Sequence, residues 1–434
     1  MANQNAKSSR VRPGLAIGAG VMGAVTASIG IVTPAQAVDY PSWNDVQQAK
    51  NNVANQQAMI DNITTLITGL QSSVDAARVA SEKAAEAYFQ AKIALEKATA
   101  KANDLQKQAA DAADKAKTSK MRAGLLASHL AKSGGGDVTT NLMLKGGGSG
   151  AAADKLLFQL GTMSKLTEQS KAVYDQATKD KNTADALTAQ AKVAKTERSS
   201  LADAADTALA AAQDAQAKAQ AALATQQQKS TELVAQLATL KNTSAQTEAA
   251  YLQGEQIKAQ QEAARKAQEA AAEAQRQAAA AAAAAARPPA ASSGGGGGGA
   301  APAAPAAPNG NVVQTALAYA QAQLGKPYIF GGEGPTGYDC SGLTMKAYAY
   351  AGVYIGSHSV NDQYFTAANR GQLVSYSAKQ PGDLIFWGDG PGDFYHVGIY
   401  IGGGMMIAAP TEGDVVKRQS VWGSPWRIVA RPSA

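Results

Sequence analysis

The stretch that decides the fold of the last part of the chain is DCSGLTMKAYAYA, residues 339–351. From Leu343 to Ala351 it is an apolar run of helix-forming residues, so we predict a helix that begins at or near Cys340. The positive end of a helix dipole favours a thiolate over a thiol at that place. Because a sulfur nucleophile requires that ionisation, Cys340 is the candidate nucleophile.

Two further segments predict neighbouring strands. PGDLIFW, residues 381–387, indicates a turn that leads into a strand, and HVGIYIG, residues 396–402, indicates a second strand that ends in glycines. His396 opens this second strand, where its imidazole can take the thiol proton and later protonate a leaving amine. The competing interpretations are a buried structural role for Cys340 and a disulfide that joins two chains.

The segments PYIFGG (residues 327–332), DCSGL, PGDLIFW and HVGIYIG, in this order, resemble the motifs of the NlpC-type cell-wall endopeptidases, a papain-like group. The resemblance covers residues 312–431 and implies a papain-like α+β domain, to which we assign residues 311–434. It implies that Cys340 is the nucleophile and His396 the base, and that the bond between D-glutamate and diaminopimelate in peptidoglycan stem peptides is hydrolysed. The residues that it implies in shaping the site and contacting the substrate are Tyr328, Asp339 and Ser341.

The resemblance is incomplete at one position. The group usually has a third polar residue twelve positions after the base, and here that position is Ala408. Without such a group the tautomer and the angle of the imidazole are less fixed, unless Glu412 or Asp414 reaches it from the following loop. The sequence therefore leaves open a catalytically weak wall-binding or divisome scaffold protein. An amidase or acyltransferase on the same plan is a third interpretation.

Charge and composition exclude other classes of function. The chain of 434 residues has a formal net charge of +6, but residues 311–434 hold eight Lys/Arg and eight Asp/Glu. Positive charge is not gathered into a patch interleaved with aromatic residues, which argues against nucleic-acid binding. The one cysteine and three dispersed histidines lack the spacing of a ligand set, so we predict neither a metal nor another cofactor.

The start of the chain predicts export. It is positively charged, residues 14–32 are small and apolar, and Ala35-Gln36-Ala37 supplies the small–x–small pattern of a cleavage site. We therefore predict a signal peptide over residues 1–37 and a protein secreted to the cell wall or the extracellular face of the membrane. A membrane anchor is the competing interpretation, because the apolar run approaches spanning length.

The middle of the chain predicts long helices. It contains no proline and consists mainly of alanine, glutamine, lysine and glutamate, which are good helix formers. From Val46 to Ala112 apolar residues recur at spacings of three and four, which indicates a coiled-coil seam. We predict an antiparallel coiled-coil hairpin over residues 38–287, with a glycine-bounded tip near residues 133–150. A parallel homodimer is the competing interpretation.

Residues 288–310 are rich in proline, glycine and alanine, which predicts a flexible linker before the last domain. This order of signal, hairpin, linker and hydrolase also resembles the actinobacterial RipC-type and streptococcal PcsB-type hydrolases. That resemblance implies a membrane partner, FtsX of the FtsE–FtsX complex, which binds the hairpin and releases an inhibited enzyme in cell separation. The glycine-bounded tip is a candidate contact surface.

Overall fold

The computed structural model describes residues 40–133, 150–285 and 307–434. The predicted signal peptide, nearly all of the predicted hairpin tip and most of the predicted linker lie outside these residues. Among the described residues, no helix combines the length and the apolar character needed to cross a membrane.

The N-terminal part of the described chain is helical because good helix formers prevail there and proline is absent. Ser42 and Asp45 form a capping box that begins the first helix. The helices of this part are α1 (Trp43–Ala49), α2 (Val53–Ser133), α3 (Gly150–Lys241) and α4 (Ala245–Ala285).

Helices α2 and α3 lie antiparallel. Lys101 Nζ of α2 lies 3.3 Å from the Glu197 carboxylate of α3, and Ser119 Oγ donates a hydrogen bond of 2.6 Å to the Asp180 carboxylate. Because the partners run in opposite directions along one chain, the predicted antiparallel hairpin is confirmed. An apolar cluster closes its base, with the buried residues Val46, Ala49, Ile63, Ile67, Leu70, Leu233, Leu237 and Leu240.

The middle of the hairpin buries much smaller side chains. Its buried apolar residues are alanines, among them Ala98, Ala102, Ala194, Ala205 and Ala212. Alanine removes little apolar area from water, so the hydrophobic stabilisation of the hairpin is concentrated at its base.

The C-terminal domain is α+β, as predicted. Its strands form one antiparallel sheet in the order β1-β6-β2-β3-β4-β5. The helices are α5 (Gly310–Ala322), α6 (Cys340–Tyr350) and α7 (Val360–Asn369). The strands are β1 (Leu373–Ser375), β2 (Leu384–Gly388), β3 (Phe394–Gly402), β4 (Met405–Ala408), β5 (Lys417–Ser420) and β6 (Ile428–Ala430).

Both faces of this sheet are buried, which explains the nearly continuous apolar run in β2. One face packs with α6 and carries Leu384, Phe386, Val397 and Ile399. The other face carries a smaller cluster with the buried residues Val374, Tyr376, Ile385, Trp387, Tyr400, Met406, Ala408, Val421 and Val429.

Candidate active site

Cys340 is the first residue of α6, so the predicted helix start is confirmed. Asp339 is the N-cap, and its carboxylate accepts a 2.7 Å hydrogen bond from the Gly342 backbone N–H. A Cβ on Gly342 would lie 2.1 Å from the Gly332 carbonyl oxygen, so only glycine allows this close approach. The DCSG sequence therefore places the sulfur at the N-terminus of a helix that packs tightly on the PYIFGG turn.

The thiol of Cys340 is not activated in this conformation. Burial raises its pKa well above the ordinary value, and the nearby carboxylate of Asp339 raises it further. A hydrogen bond from the Val397 backbone lowers the pKa but does not offset burial. The prediction from the helix dipole alone was wrong for this conformation, because desolvation exceeds the dipole effect.

His396 lies on β3, two residues after the strand begins, and is paired with Trp387 on β2. Its side chain is fully buried, and neither ring nitrogen has a hydrogen-bond partner within the described part of the chain. Burial lowers its pKa to about 3, with a further contribution from Arg78 of α2. The imidazole is therefore neutral at pH 7.

The position of the missing third residue is apolar. Ala408 is buried on β4, and its Cβ lies 3.5 Å from the place that a Cβ on Gly398 would take. The two loop carboxylates considered above have other partners: Glu412 accepts from Ser81 Oγ at 3.1 Å, and Asp414 from Lys417 Nζ at 2.6 Å. Neither of them hydrogen-bonds His396.

Helix α2 of the hairpin lies in the cleft that holds Cys340. The space that remains there is about 10 Å³, room for about one water molecule. A peptide substrate cannot enter while α2 is in place. The residues that line this space are Glu82, Ala85, Glu86, Phe89, Tyr328, Asp339, Cys340, Ser341, Val360 and Tyr395.

Glu82 of α2 faces the candidate base directly. Its Oε1 lies 3.6 Å from His396 Nδ1, and both carboxyl oxygens are buried without a hydrogen-bond partner among the described residues. Burial raises the pKa of Glu82 to about 8, and Glu412 adds to this, whereas Arg78 acts in the opposite direction. Glu82 is therefore largely protonated at pH 7, and the covered site holds a neutral acid, a neutral imidazole and a thiol.

Glu86, one helical turn further on, is held by the N-terminus of α7. Its carboxylate accepts hydrogen bonds from the backbone N–H groups of Val360 (2.8 Å) and Asn361 (3.1 Å). The Ser359 hydroxyl and the Asn361 side-chain amide also donate to it. A buried carboxylate with four donors at a helix N-terminus is well satisfied, and it fixes α2 to the domain.

Aromatic contacts extend the covered region. The Phe89 ring stacks on the His358 imidazole with centroids 4.3 Å apart, and both Tyr88 and Phe89 contact Phe330. His358 in turn bridges the Asp339 carboxylate (2.7 Å) and the Glu333 carboxylate (3.0 Å). These carboxylates raise the pKa of His358, although burial alone would lower it.

The residues predicted to contact substrate lie around the same space. Tyr328 and Ser341 line it and are buried, and Ser341 Oγ donates to Asp339 at 3.2 Å. The structure thus places Tyr328, Asp339, Cys340 and Ser341 around one space, and His396 lies 3.6 Å from Glu82, which lines the same space. It adds Glu82 and Glu86, which the sequence analysis missed because acids one turn apart in a polar helix are ordinarily solvated.

The fold and site together define a class of protein. An α+β domain that places a cysteine at a helix N-terminus next to a strand carrying a histidine has the plan of the papain-like thiol hydrolases. Residues 325–430 match the model of the NlpC/P60 family, so the chain carries an NlpC/P60 domain.

Relatives agree with this assignment. The chain is 44% identical over 110 residues to the "Probable endopeptidase p60" of Listeria seeligeri. It is 41% identical over 111 residues to "Protein P54" of Enterococcus faecium. Each match covers 25% of this chain and 20% of the relative, so the chain spans only a fifth of the length of these proteins.

Solved structures include the NlpC/p60 domain of the peptidoglycan hydrolase SagA. It is 39% identical, with 27% of this chain covering 97% of that domain at a TM-score of 0.25. The peptidoglycan hydrolase RipB from Mycobacterium tuberculosis is 32% identical, with 28% of this chain covering 65% of that structure at a TM-score of 0.25. In both comparisons the matched part of this chain is about the length of the C-terminal domain.

Proposed function

We propose that this chain is a secreted peptidoglycan endopeptidase that cleaves the D-glutamyl–diaminopimelate bond of stem peptides and acts in cell separation. We further propose that the hairpin keeps it inactive until α2 leaves the cleft. The observation that carries the proposal is the position of α2 directly over Cys340, in an NlpC/P60 domain.

The proposed chemistry uses Cys340 and His396. Once the cleft opens, His396 takes the thiol proton, and the sulfur attacks the amide carbonyl carbon to form a tetrahedral intermediate. The intermediate expels the diaminopimelate amine, which receives the proton from the imidazolium. A water molecule, deprotonated by His396, then hydrolyses the thioester, which releases the carboxylic acid and restores the thiol.

The contacts of Glu86 support an anionic substrate. Four donors on Ser359, Val360 and Asn361 hold its carboxylate inside the cleft. When α2 leaves, these donors exchange the carboxylate for water or for another acceptor, and an anionic acceptor gives the stronger hydrogen bonds. A stem peptide brings carboxylates of its own, so Glu86 occupies the place that we propose for one of them.

The burial of Cys340 and His396 under α2 supports inhibition. In the covered site the pKa of Cys340 is raised and that of His396 is lowered, each mainly by burial. Both changes oppose the thiolate–imidazolium pair that nucleophilic catalysis needs. Removing α2 would return water to both groups and relieve these shifts.

The test uses the full chain and the Ala85→Arg variant. Ala85 lines the covered cleft, and an arginine cannot be accommodated there, so α2 should be displaced. We expect the variant to cleave diaminopimelate-containing muropeptides at the D-glutamyl bond, as identified by mass spectrometry, while the parent chain is slow. Ala100→Arg, at an exposed position of the same helix, is the matched control. Adding Cys340→Ala to the opened variant should abolish cleavage.

A second candidate function rests on Ala408. If the opened variant binds stem peptides but releases no product, the catalytically weak wall-binding or divisome scaffold is the better interpretation. Release of a product of a different mass would instead support an amidase or acyltransferase. Cleavage by the parent chain at the same rate as by the opened variant would remove the inhibitory role of the hairpin.

The proposed membrane partner is FtsX of the FtsE–FtsX complex, which would bind the hairpin. The support is architectural: α2 runs without a break from the inhibitory contacts to Ser133, so a pull on the far part of the hairpin can reach the cleft. Adding the extracellular part of FtsX to the full chain should raise cleavage of muropeptides. A tip-deleted chain that responds equally would exclude the tip as the contact surface.

A further inference from the structure

Two tryptophans surround His396 where a polar partner is missing. The Trp387 ring meets the imidazole edge to face, with centroids 5.3 Å apart and planes at 68°. The Trp422 ring lies tilted at 46° with centroids 5.5 Å apart. Two large flat surfaces against one small ring restrict its rotation about the bond that joins it to Cβ.

The tryptophans also fix each other. Their rings stack with centroids 4.7 Å apart at 22°, and Trp387 Nε1–H donates a 2.9 Å hydrogen bond to the Trp422 carbonyl oxygen. Trp387 is directly opposite His396 in the β2–β3 register and is almost completely buried. The stacked tryptophan pair is therefore held in place by the sheet.

Within the C-terminal domain, no polar group is bonded to the imidazole. Neither ring nitrogen has a hydrogen-bond partner among the described residues, and Ala408 presents only a methyl group on the neighbouring strand. The polar group that lies against the ring is the Glu82 carboxyl, 3.6 Å from Nδ1, which belongs to α2 and leaves with it. The orientation of the ring in this structure is consequently set by packing. Since an orienting group fixes an imidazole for proton transfer, packing must supply that function here if the domain is active.

We propose that Trp387 and Trp422 are positioning residues, which restrict the orientation of the His396 imidazole by ring packing and, in the opened site, keep it available to the Cys340 thiol in place of a polar third residue. This inference rests on the proposed Cys–His function. It also connects the site to the hairpin, because the Arg78 guanidinium of α2 covers the Trp422 ring at 4.3 Å. The face of the Trp422 ring that Arg78 covers becomes exposed when α2 leaves.

The experiment measures alkylation of Cys340 by iodoacetamide as a function of pH in the opened Ala85→Arg chain. Cys340 is the only cysteine in the sequence, so the rate reports this thiol alone. An imidazole held against the sulfur keeps the thiolate populated below the ordinary thiol pKa of about 8.5. His396→Ala in the same chain defines the profile of a thiol without imidazole assistance.

Three tryptophan variants are added to the opened chain. Trp422 is partly exposed, so Trp422→Ala leaves the core intact, whereas Trp387→Phe retains a ring but removes the hydrogen bond to Trp422. Trp426→Phe is the matched control, because its ring packs on Phe394 instead of His396. The kcat and KM for muropeptide cleavage are measured beside the alkylation profile.

We expect Trp422→Ala to move the alkylation profile toward that of His396→Ala. We also expect it to lower kcat by about tenfold to a hundredfold with little change in KM, because misplacing a catalytic group acts on the chemical step. Trp387→Phe should show the same changes to a smaller extent, and Trp426→Phe should show neither.

An unchanged alkylation profile in Trp422→Ala overturns the proposal, even if kcat falls, because a merely structural role would lower activity without altering thiol ionisation. If the opened chain does not cleave muropeptides at all, the proposed function fails. The alkylation profiles still decide the positioning role in that case, since they require no substrate.

Discussion

Two segments of helix α2 are buried for opposite reasons. At the base of the hairpin, residues 63–70 bury large aliphatic side chains against α3. About three turns later, residues 81–89 bury two carboxyl groups and one phenylalanine against the C-terminal domain. The first segment gains stability from apolar area, while the second depends on donors and on a proton.

This difference indicates which part of α2 stabilises the hairpin and which part can dissociate from the C-terminal domain. An aliphatic contact is insensitive to pH and has no alternative partner in water. A buried carboxylate is stable only with its donors and is readily hydrated when released. We therefore expect the 63–70 segment to maintain the hairpin and the 81–89 segment to open reversibly.

The largest expected effect comes from a substitution that should displace residues 81–89 and leave the base of the hairpin intact. Ala85→Arg should raise the alkylation rate of Cys340 on the order of a hundredfold, because burying an unpaired charge in the covered cleft costs several kcal/mol, or about tenfold per 1.4 kcal/mol. Circular dichroism should show an unchanged hairpin. Ala100→Arg, which is exposed, should leave the rate at that of the parent. A parent-like rate in Ala85→Arg would contradict the covered cleft in solution.

Truncation at the base should give the opposite pattern. Leu237 is fully buried in the apolar cluster, and Leu237→Ala should destabilise the hairpin by about 2–5 kcal/mol. Thermal unfolding followed by circular dichroism measures this loss. The alkylation rate of Cys340 at temperatures below the transition should change little. A large increase in that rate would show that the base, rather than residues 81–89, holds α2 over the cleft.

Removing the carboxylate of Glu86 should open the cleft to an intermediate extent. Glu86→Ala leaves the donors of Ser359, Val360 and Asn361 without their partner. A loss of about 1.5–3 kcal/mol corresponds to a roughly tenfold to hundredfold increase in alkylation of Cys340. Glu96→Ala, at an exposed position of α2, is the control. Equal rates in both variants would deny Glu86 a role in closure.

Closure should weaken as pH rises from about 6.5 to 8. The pKa of Glu82 is raised from 4.5 to about 8, so its contribution to closure is fully present below 4.5 and is lost as pH rises through about 8. His396, with a pKa lowered from 6.5 to about 3, opposes this only below 6.5. Opening should therefore increase by up to about tenfold per pH unit in this window.

The variant Glu82→Gln tests this pH dependence. The ratio of the alkylation rates of the full chain and of its Ala85→Arg variant removes the intrinsic pH dependence of the thiol. Glu82→Gln should reduce the slope of that ratio against pH. A remaining slope of the same sign is expected, because burial also raises the pKa of Glu86. An unchanged slope in Glu82→Gln would assign the effect to other groups.

The smallest effect should come from the ion pairs at the edge of the contact. Lys83 Nζ lies 3.2 Å from the carboxylates of Asp389 and Asp393, and these groups are largely exposed. Exposed pairs contribute less than about 1 kcal/mol and are screened by salt. Lys83→Ala should therefore change the alkylation rate by only a few fold, and less at high salt. A larger effect would show that these ion pairs contribute substantially to holding α2 over the cleft.

Much of the fold was predictable from patterns that physics imposes locally. Proline-free stretches of alanine and glutamine predict helices, and the aliphatic residues from Ile60 to Leu70 predict the base of the coiled coil. The apolar run after DCSG predicts α6, and the PGDLIFW and HVGIYIG segments predict β2 and β3. Tyr328, Asp339, Cys340 and Ser341 lie around one space because those motifs fix local geometry.

The contact between α2 and the cleft was not predictable at the level of residues. Glu82 and Glu86 lie one turn apart in a polar sequence, and such acids are ordinarily solvated. The predicted seam places Ala84 and Tyr88 toward the partner helix, whereas the residues most buried in this segment lie on another face, toward the domain. A periodicity shows which residues share a face, but not which surface will cover them.

The sequence by itself determined the helices and the strands and predicted the residues of the candidate site, since propensity, apolar period and the DCSG turn act over a few residues. Only the tertiary structure decided the state of those residues. Residues more than two hundred positions apart, on α2 and on α6, meet in one desolvated space. There burial sets the pKa values of Cys340, His396 and Glu82, because solvation depends on everything that surrounds a group rather than on its neighbours in the chain.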